Sequence, residues 1–473
     1  MKKFTKILLI GCLLVTVSCN NWLDVEPKSQ VKDKDLFASE MGFKEALSGV
    51  YSLMTKEALY GKELTFGWLG VLGQEWTSVP YNYEDDQKYD FENAASEVRI
   101  DSVWTGLYNA IANANKLLKE LEGKENLFSG DNYFIIKGEV LALRAYLHFD
   151  LLRIFGASCT VGMERIAIPY VTEYAPTIFP QEKVGDFVGK VLKDLQDAAK
   201  CLENDPILTG CTVSEIDDNG YLMNRQVHLN YYAVKGLMAR VYLYKGDYAN
   251  AEVCAKEVIG SGCFEWVKQE NLTNESVADL TFSTEHLFAL NIVTLGNIVD
   301  KYLDGGNNSF ALEESRLSEY YGSSYDYRYL YLFKTGVGMS NTLRYLKKYD
   351  QLESVSWAQS YRNKLPLICL PEMYYILAEC RYHSSGDVLE PLNEVCRHRG
   401  VADLSEADLS AFETLLLAEY RKEVIGGGQL FFQYKRLNRS VVPGTDVDLA
   451  GEGRYVIPMP KEELENPGWV SNQ

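Results

Sequence analysis

Five histidines, ten cysteines and 66 acidic side chains are the groups with which this 473-residue chain could do covalent, metal or acid–base chemistry. Their spacing argues against all three. His148, His228, His286, His383 and His398 contain no HExxH and no second His at ligand spacing. Cys396-x-His398 falls in a helical pattern and reads as structural. There is no P-loop and no GxSxG elbow. Gly426-Gly427-Gly428 follows a helix rather than a strand, so it reads as a helix stop and not a phosphate cradle. Asp85-Asp86 and Asp217-Asp218 would serve glycoside hydrolysis only with carboxyls about 5–10 Å apart across a cleft. Among 66 acids such pairs arise by chance, and these two read as solvated surface. Asp300/Asp304 and Asp446/Asp448 lack the EF-hand pattern for calcium. No cofactor, metal or catalytic residue is implied.

What the chain does offer is aromatic rings inside loops. Trp76-Thr77-Ser78-Val79-Pro80-Tyr81-Asn82-Tyr83 is one such segment, and Tyr320-Tyr321-Gly322-Ser323-Ser324-Tyr325-Asp326-Tyr327-Arg328 is another. Trp357 is a third, isolated candidate. A rigid ring buries much area with few rotatable bonds, and the neighbouring amides and hydroxyls can satisfy a polar rim. The candidate ligand contacts are therefore Trp76, Tyr81, Asn82, Tyr83, Tyr320, Tyr321, Tyr325 and Trp357. The competing reading for each is plain packing, with Asp326/Arg328 as a structural pair. Trp104 and Tyr108, at helical spacing, read as core.

The elements that must hold these loops are mostly amphipathic helices. Residues 101–121 place Trp104, Leu107, Ile111, Ala114 and Leu118 on one face. Residues 137–155 carry two apolar stripes, as a helix sandwiched between neighbours would, and Gly156 stops it. Residues 183–203 form another helix. Residues 229–260 read as helix, turn at Lys245-Gly246-Asp247-Tyr248, and helix, with small residues at Gly236, Ala239, Ala251 and Ala255. That resembles one tetratricopeptide repeat, whose hairpin must stack on others to bury its apolar face. A second hairpin spans 371–399, and a further helix 406–425. Residues 61–100 and 261–370 are richer in loop signals, such as Gly305-Gly306-Asn307-Asn308.

The start is basic, then apolar from Ile7 to Val17, then Ser18-Cys19. This predicts a secretory signal over 1–18, too short to span a bilayer. Val17-Ser18-Cys19 resembles a bacterial lipobox, with Cys19 as a fatty-acylated (palmitate-bearing) anchor. Ordinary secretion with Cys19 unmodified is the alternative. The net charge is −19. Loss of Lys2, Lys3 and Lys6 takes it to −22, which excludes nucleic-acid binding driven by phosphate neutralisation. Of the other cysteines, Cys201/Cys211 and Cys254/Cys263 are close enough in sequence to be bridged, and free buried thiols are the competing reading.

Several stretches together resemble one family. They are Trp22-Leu23-Asp24 with Pro27; Glu139, Arg144-Ala145-Tyr146, Phe149-Asp150-Leu151, Arg153 and Phe155-Gly156, followed by Ile168-Pro169; Gly246-Asp247-Tyr248 with Ala251; Leu370-Pro371-Glu372-Met373-Tyr374 with Ala378-Glu379; Leu392-Asn393, Val395 and Arg399-Gly400; and Ile457-Pro458, Pro460, Glu463-Leu464 and Asn466-Pro467. In order and spacing these are similar to the SusD/RagB family of outer-membrane lipoproteins of Bacteroidota. Gly427 stands where the family has Glu, and Gln433 where it has Asp, so the resemblance implies a thinned buried ion-pair network there.

The resemblance implies a mainly α fold: a tetratricopeptide-like helical-hairpin scaffold with an irregular, loop-rich ligand-binding part. The implied organisation is a signal over 1–18, an anchor and tether over 19–36, and one domain over 37–473. Within it the scaffold covers about 37–260 and 371–430, the insertion 261–370 and a C-terminal segment 431–473. The implied role is non-catalytic capture of oligosaccharide or polysaccharide nutrient on the cell exterior, and delivery to a TonB-dependent SusC-like transporter. Capture of peptides, or a protein-binding scaffold, are the alternatives; a lipoprotein glycosidase is a remote third.

Overall fold

The computed structural model describes residues 34–210, 220–274, 278–336, 342–351 and 361–472. Its main helices are α1 (Glu40–Met54), α2 (Ala94–Leu121), α3 (Asn132–Phe155), α4 (Val184–Cys201), α5 (Tyr231–Lys245), α6 (Tyr248–Ile259), α7 (Leu370–His383), α8 (Leu389–His398), α9 (Phe412–Val424) and α10 (Leu430–Arg436). The mainly α, hairpin-built expectation holds. α2 packs on α3, α3 on α4, α4 on α5, α5 on α6, α6 on α7 and α7 on α8. Among the described residues no helix is long and apolar enough to cross a membrane.

The α5–α6 hairpin shows how local sequence sets this array. Asn230 caps α5 by accepting from the Ala233 amide at 3.0 Å, and Gly246 ends it with φ +81°, a left-handed turn open to solvent. Asp247 then caps α6 by accepting from the Asn250 amide at 3.2 Å. Asp247→Ala is expected to cost about 1 kcal/mol, read as a lower urea midpoint with an unchanged far-ultraviolet spectrum. Gly236 has a different task from the helix contact its sequence context suggests. A Cβ there would sit 2.8 Å from Leu287 Cδ2 and 3.2 Å from Ile368 Cγ2, so its absence lets a strand pair lie on α5.

The strands are short. β1 (Ile166–Pro169) pairs with β2 (Gln181–Lys183), β3 (His286–Asn291) with β7 (Lys364–Cys369), and β6 (Leu343–Leu346) lies between β4 (Leu312–Glu313) and β5 (Phe333–Thr335), all antiparallel. Their inner faces join one continuous apolar core with the helices.

α3 is buried on nearly every side, so each of its polar side chains requires a partner. Glu139 accepts from Arg225 at 2.6 Å, and Arg225 also holds Asp205. Arg144 makes a two-pronged pair with Asp194 on α4, at 2.7 Å for each prong. Asp150 pairs with Arg153 and accepts from Tyr60 at 2.7 Å. The same logic recurs on α7, where Glu372 holds Arg240 of α5 and Glu379 holds Arg436 of α10. The family-like residues are thus intramolecular bolts between successive hairpins.

Gly427 and Gln433 supply no carboxylate near residues 419–433, but an ion-pair network is still present there. Arg328 reaches Asp326, Glu419 and Glu423, while Arg399 reaches Glu285 and shares Glu423. Burial favours the neutral acid, but Arg399 and Arg328 outweigh it and hold Glu423 down to about 2. Gln433 takes its place by accepting from Arg436. Neither sequence-adjacent cysteine bridge forms: Cys201 and Cys254 are free thiols, while Cys263 is disulfide-bonded. Cys211 lies outside the described residues.

Candidate functional site

Two segments more than two hundred residues apart in sequence are stitched together at one edge of the fold. The amides of Thr77 and Ser78 both donate to the Ala311 carbonyl at 3.0 Å, and the Ala311 amide donates to the Ser78 carbonyl at 3.0 Å. The Glu313 amide donates to Thr77 Oγ1 at 2.6 Å. Directly after β4, residues Glu314–Tyr321 form a helix carrying Arg316 and Tyr320. The loop at Gly444–Val447 closes the third side.

The result is a cleft of about 520 Å³ lined by Gln74, Trp76, Thr77, Gln87, Lys88, Glu313, Arg316, Tyr320 and residues 444–447. Its floor is fixed. Gln87 Nε2 donates to the Trp76 carbonyl at 2.9 Å, and Gln74 Nε2 donates to the Gln87 carbonyl at 2.9 Å and to the Tyr89 hydroxyl at 3.1 Å. Tyr320 is half-buried, with the Arg421 guanidinium 4.3 Å from its ring centroid. Burial pushes its phenol pKa up, against the opposing pull of Arg421 and Arg316. One ring amid amides, hydroxyls, cations and carboxylates can hold a ligand with an apolar face and a polar rim; any rim group left buried and unpaired costs about 1–3 kcal/mol.

The sequence candidates divide sharply. Tyr320 lines the cleft. Tyr81 and Tyr325 are solvent-facing, at 88% and 76% exposure, and Asn82 is exposed beside Tyr81. Trp76, Tyr83 and Tyr321 are interior, and their expected role as presented stacking rings is corrected. Trp76 is 2% exposed and donates from Nε1 to the Phe66 carbonyl at 2.7 Å. The Tyr83 hydroxyl donates to Glu63 at 2.8 Å, and the Tyr321 hydroxyl to the Lys422 carbonyl at 3.0 Å. A loop so rich in rings folds some of them inward, because the apolar area gained outweighs presentation. Trp357 and the anchor Cys19 lie outside the described residues. Asp326/Arg328 is a buried structural pair, and Trp104 is core.

Asp86 is a second correction. Read as surface, it is fully buried and accepts from Trp68 Nε1 and Ser96 Oγ, both at 2.9 Å, and from Arg99. Burial pushes its carboxyl up to about 6 despite Arg99. Missed altogether were Gln74, Gln87, Lys88, Arg316 and the 444–447 loop; only the turn signal Pro443-Gly444 marked the last. A larger cleft of about 770 Å³ lies between residues 88–101 and 454–472. Its rings, Tyr89 and Phe91, are buried, and Glu97 and Glu462 crowd Asp101, so it presents no exposed aromatic ring.

Stacked helical hairpins holding a ring-bearing polar cleft are the class of fold this chain adopts. Residues 21–243 match the family SusD-like_3, described as starch-binding associating with outer membrane. SusD-like protein P38 of Formosa agariphila is 24% identical over 269 residues, which are 56% of this chain and 47% of that protein. The chain thus spans about half or less of the length of the curated relatives it matches. A SusD superfamily protein of Bacteroides thetaiotaomicron superposes with a TM-score of 0.73 at 22% identity, over 92% of this chain and all of that one. A laminarin-binding SusD-like protein gives 0.63 at 18% identity, over 91% of this chain and all of that one. Residues 21–243 thus match a SusD-like family model, and the fold of the chain is similar to that of SusD superfamily proteins.

Proposed function

We propose that the chain binds a glycan non-catalytically in the cleft at Tyr320, on the outer face of the cell, and passes it to a TonB-dependent SusC-like transporter. Cys19 serves as the lipid anchor in this reading. The observation that carries it is the joining of the Trp76 loop to the Tyr320 helix, which sets one half-buried ring among hydrogen-bonding side chains. The family description and the laminarin-binding neighbour support the choice of a sugar as ligand.

Calorimetry on the chain beginning after Cys19, titrated separately with soluble starch and laminarin, tests this. Binding to at least one is expected, and Tyr320→Ala should weaken it by at least about tenfold, or ~1.4 kcal/mol, with the far-ultraviolet spectrum unchanged. Silence toward every glycan, with binding to peptides instead, would replace the ligand class. Alanine at Trp76 or Tyr321 is not an equivalent test, because it opens a cavity in the core. Unchanged uptake in cells carrying Tyr320→Ala and Tyr81→Ala together would favour a protein-binding scaffold.

A further inference from the structure

Behind the cleft, two buried groups are left partly unpartnered. Arg421 on α9 is 8% exposed, yet among the described residues it pairs with no carboxylate. One of its terminal nitrogens donates to the Tyr434 hydroxyl, and its Nε–H has no acceptor. Its guanidinium lies 4.3 Å from the Tyr320 ring centroid. Glu75, the residue before Trp76, is wholly buried. Its Oε2 accepts from the Gly426 amide at 2.7 Å, while Oε1 has no partner. Every other buried arginine described above is matched to a carboxylate, so a cation with none, set against the half-buried ring of the cleft, stands out as a departure from the way this fold treats charge.

We infer that Arg421 is the positioning residue of the cleft: stacked behind Tyr320, it fixes the face that the ring turns to the sugar, and Glu75 is the group that can draw it away. This rests on the glycan reading of the cleft and adds to it the device that orients the ring. A guanidinium over a desolvated ring is attracted to it strongly enough to select one ring orientation. Arg421 does not line the cleft, so it acts through Tyr320 and not on the ligand.

Glu75 gives the arrangement a pH dependence. The groups around it are Arg421 from α9, Tyr434 from α10, and Lys348 and Tyr349 from the turn after β6. Burial raises its carboxyl to about 8, against the Gly426 amide, Lys348 and Arg421. Below that pH the acid is neutral and leaves Arg421 to the ring. Above it Glu75 carries a negative charge that attracts the Arg421 guanidinium and so opposes its seat against Tyr320.

The test uses the full chain after Cys19, with soluble starch and laminarin as probes and with ¹³C-labelled tyrosine for the free protein. Arg421→Gln should shift the Tyr320 ring resonances without ligand and weaken binding about tenfold. Arg421→Lys should restore part of that loss, and both should melt near the wild type. Wild-type affinity should fall between pH 7 and 9, and Glu75→Gln should flatten that profile. Ring resonances indifferent to Arg421→Gln overturn the inference, as does a pH profile identical in Glu75→Gln. A wild type that binds neither probe, but whose Tyr320 signals still follow Arg421 and Glu75, sinks the glycan reading and upholds the positioning.

Discussion

Arg328→Met should destabilise the protein by about 3–5 kcal/mol. Arg328 is buried and makes a two-pronged pair with Asp326, at 2.9 and 2.7 Å, while also reaching Glu419 at 3.1 Å and Glu423 at 2.9 Å. Methionine fills much of the volume but leaves Asp326 buried without its cation. Glu423 retains Arg399, and Glu419 retains Lys422, so the damage centres on Asp326. Adding Asp326→Asn to Arg328→Met should therefore recover part of the loss, because the cost arises from the stranded charge and not from the missing contact. Urea unfolding of the two variants checks both steps. A single variant within 1 kcal/mol of wild type would show that the three carboxylates are solvated or protonated in the folded chain.

Glu75→Gln should change stability in a manner that depends on pH. The ordinary carboxyl value is 4.5 and the folded value is about 8. Below 4.5 both states hold the proton and Glu75 has no pH-linked effect. Between 4.5 and 8 the unfolded state releases a proton that the folded state keeps, so wild-type stability declines as pH rises, by on the order of 4 kcal/mol across the window. Glutamine carries no such proton. Its amide oxygen can still accept from Gly426, although its NH₂ group brings a roughly constant cost of about 1–3 kcal/mol if unsatisfied. The variant should thus be no better than wild type at pH 5 and clearly more stable at pH 9. A difference between the two proteins that stays constant over this range would place the Glu75 carboxyl in water.

Much of the scaffold was legible because helix signals are local. Gly246-Asp247 marks the α5–α6 turn through one glycine conformation and one cap, and the two apolar stripes of 137–155 describe a helix covered all round. The family-like residues were legible as a pattern but not as a purpose. Glu139, Arg144, Glu372 and Arg399 do not line the cleft and serve packing. The candidate site was only half legible. Aromatic loops identified Tyr320 and its neighbourhood, but composition cannot distinguish a ring that faces out, such as Tyr325, from one turned in, such as Tyr321, four residues earlier. Gln74, Lys88 and Asp446 are ordinary polar residues that only tertiary closure brings together.

The bolts between hairpins have a consequence for how the array comes apart. Solenoids of weakly coupled repeats fray from their ends and melt in stages. Here Arg436 ties α10 back to α7, Arg240 ties α5 to α7, and Lys435 donates to the Arg153 and Ile154 carbonyls at the close of α3. Unzipping any one hairpin would strand an ion inside its neighbour, so heat should release the whole array in one sharp step, and a repeat cut out by itself should not hold together.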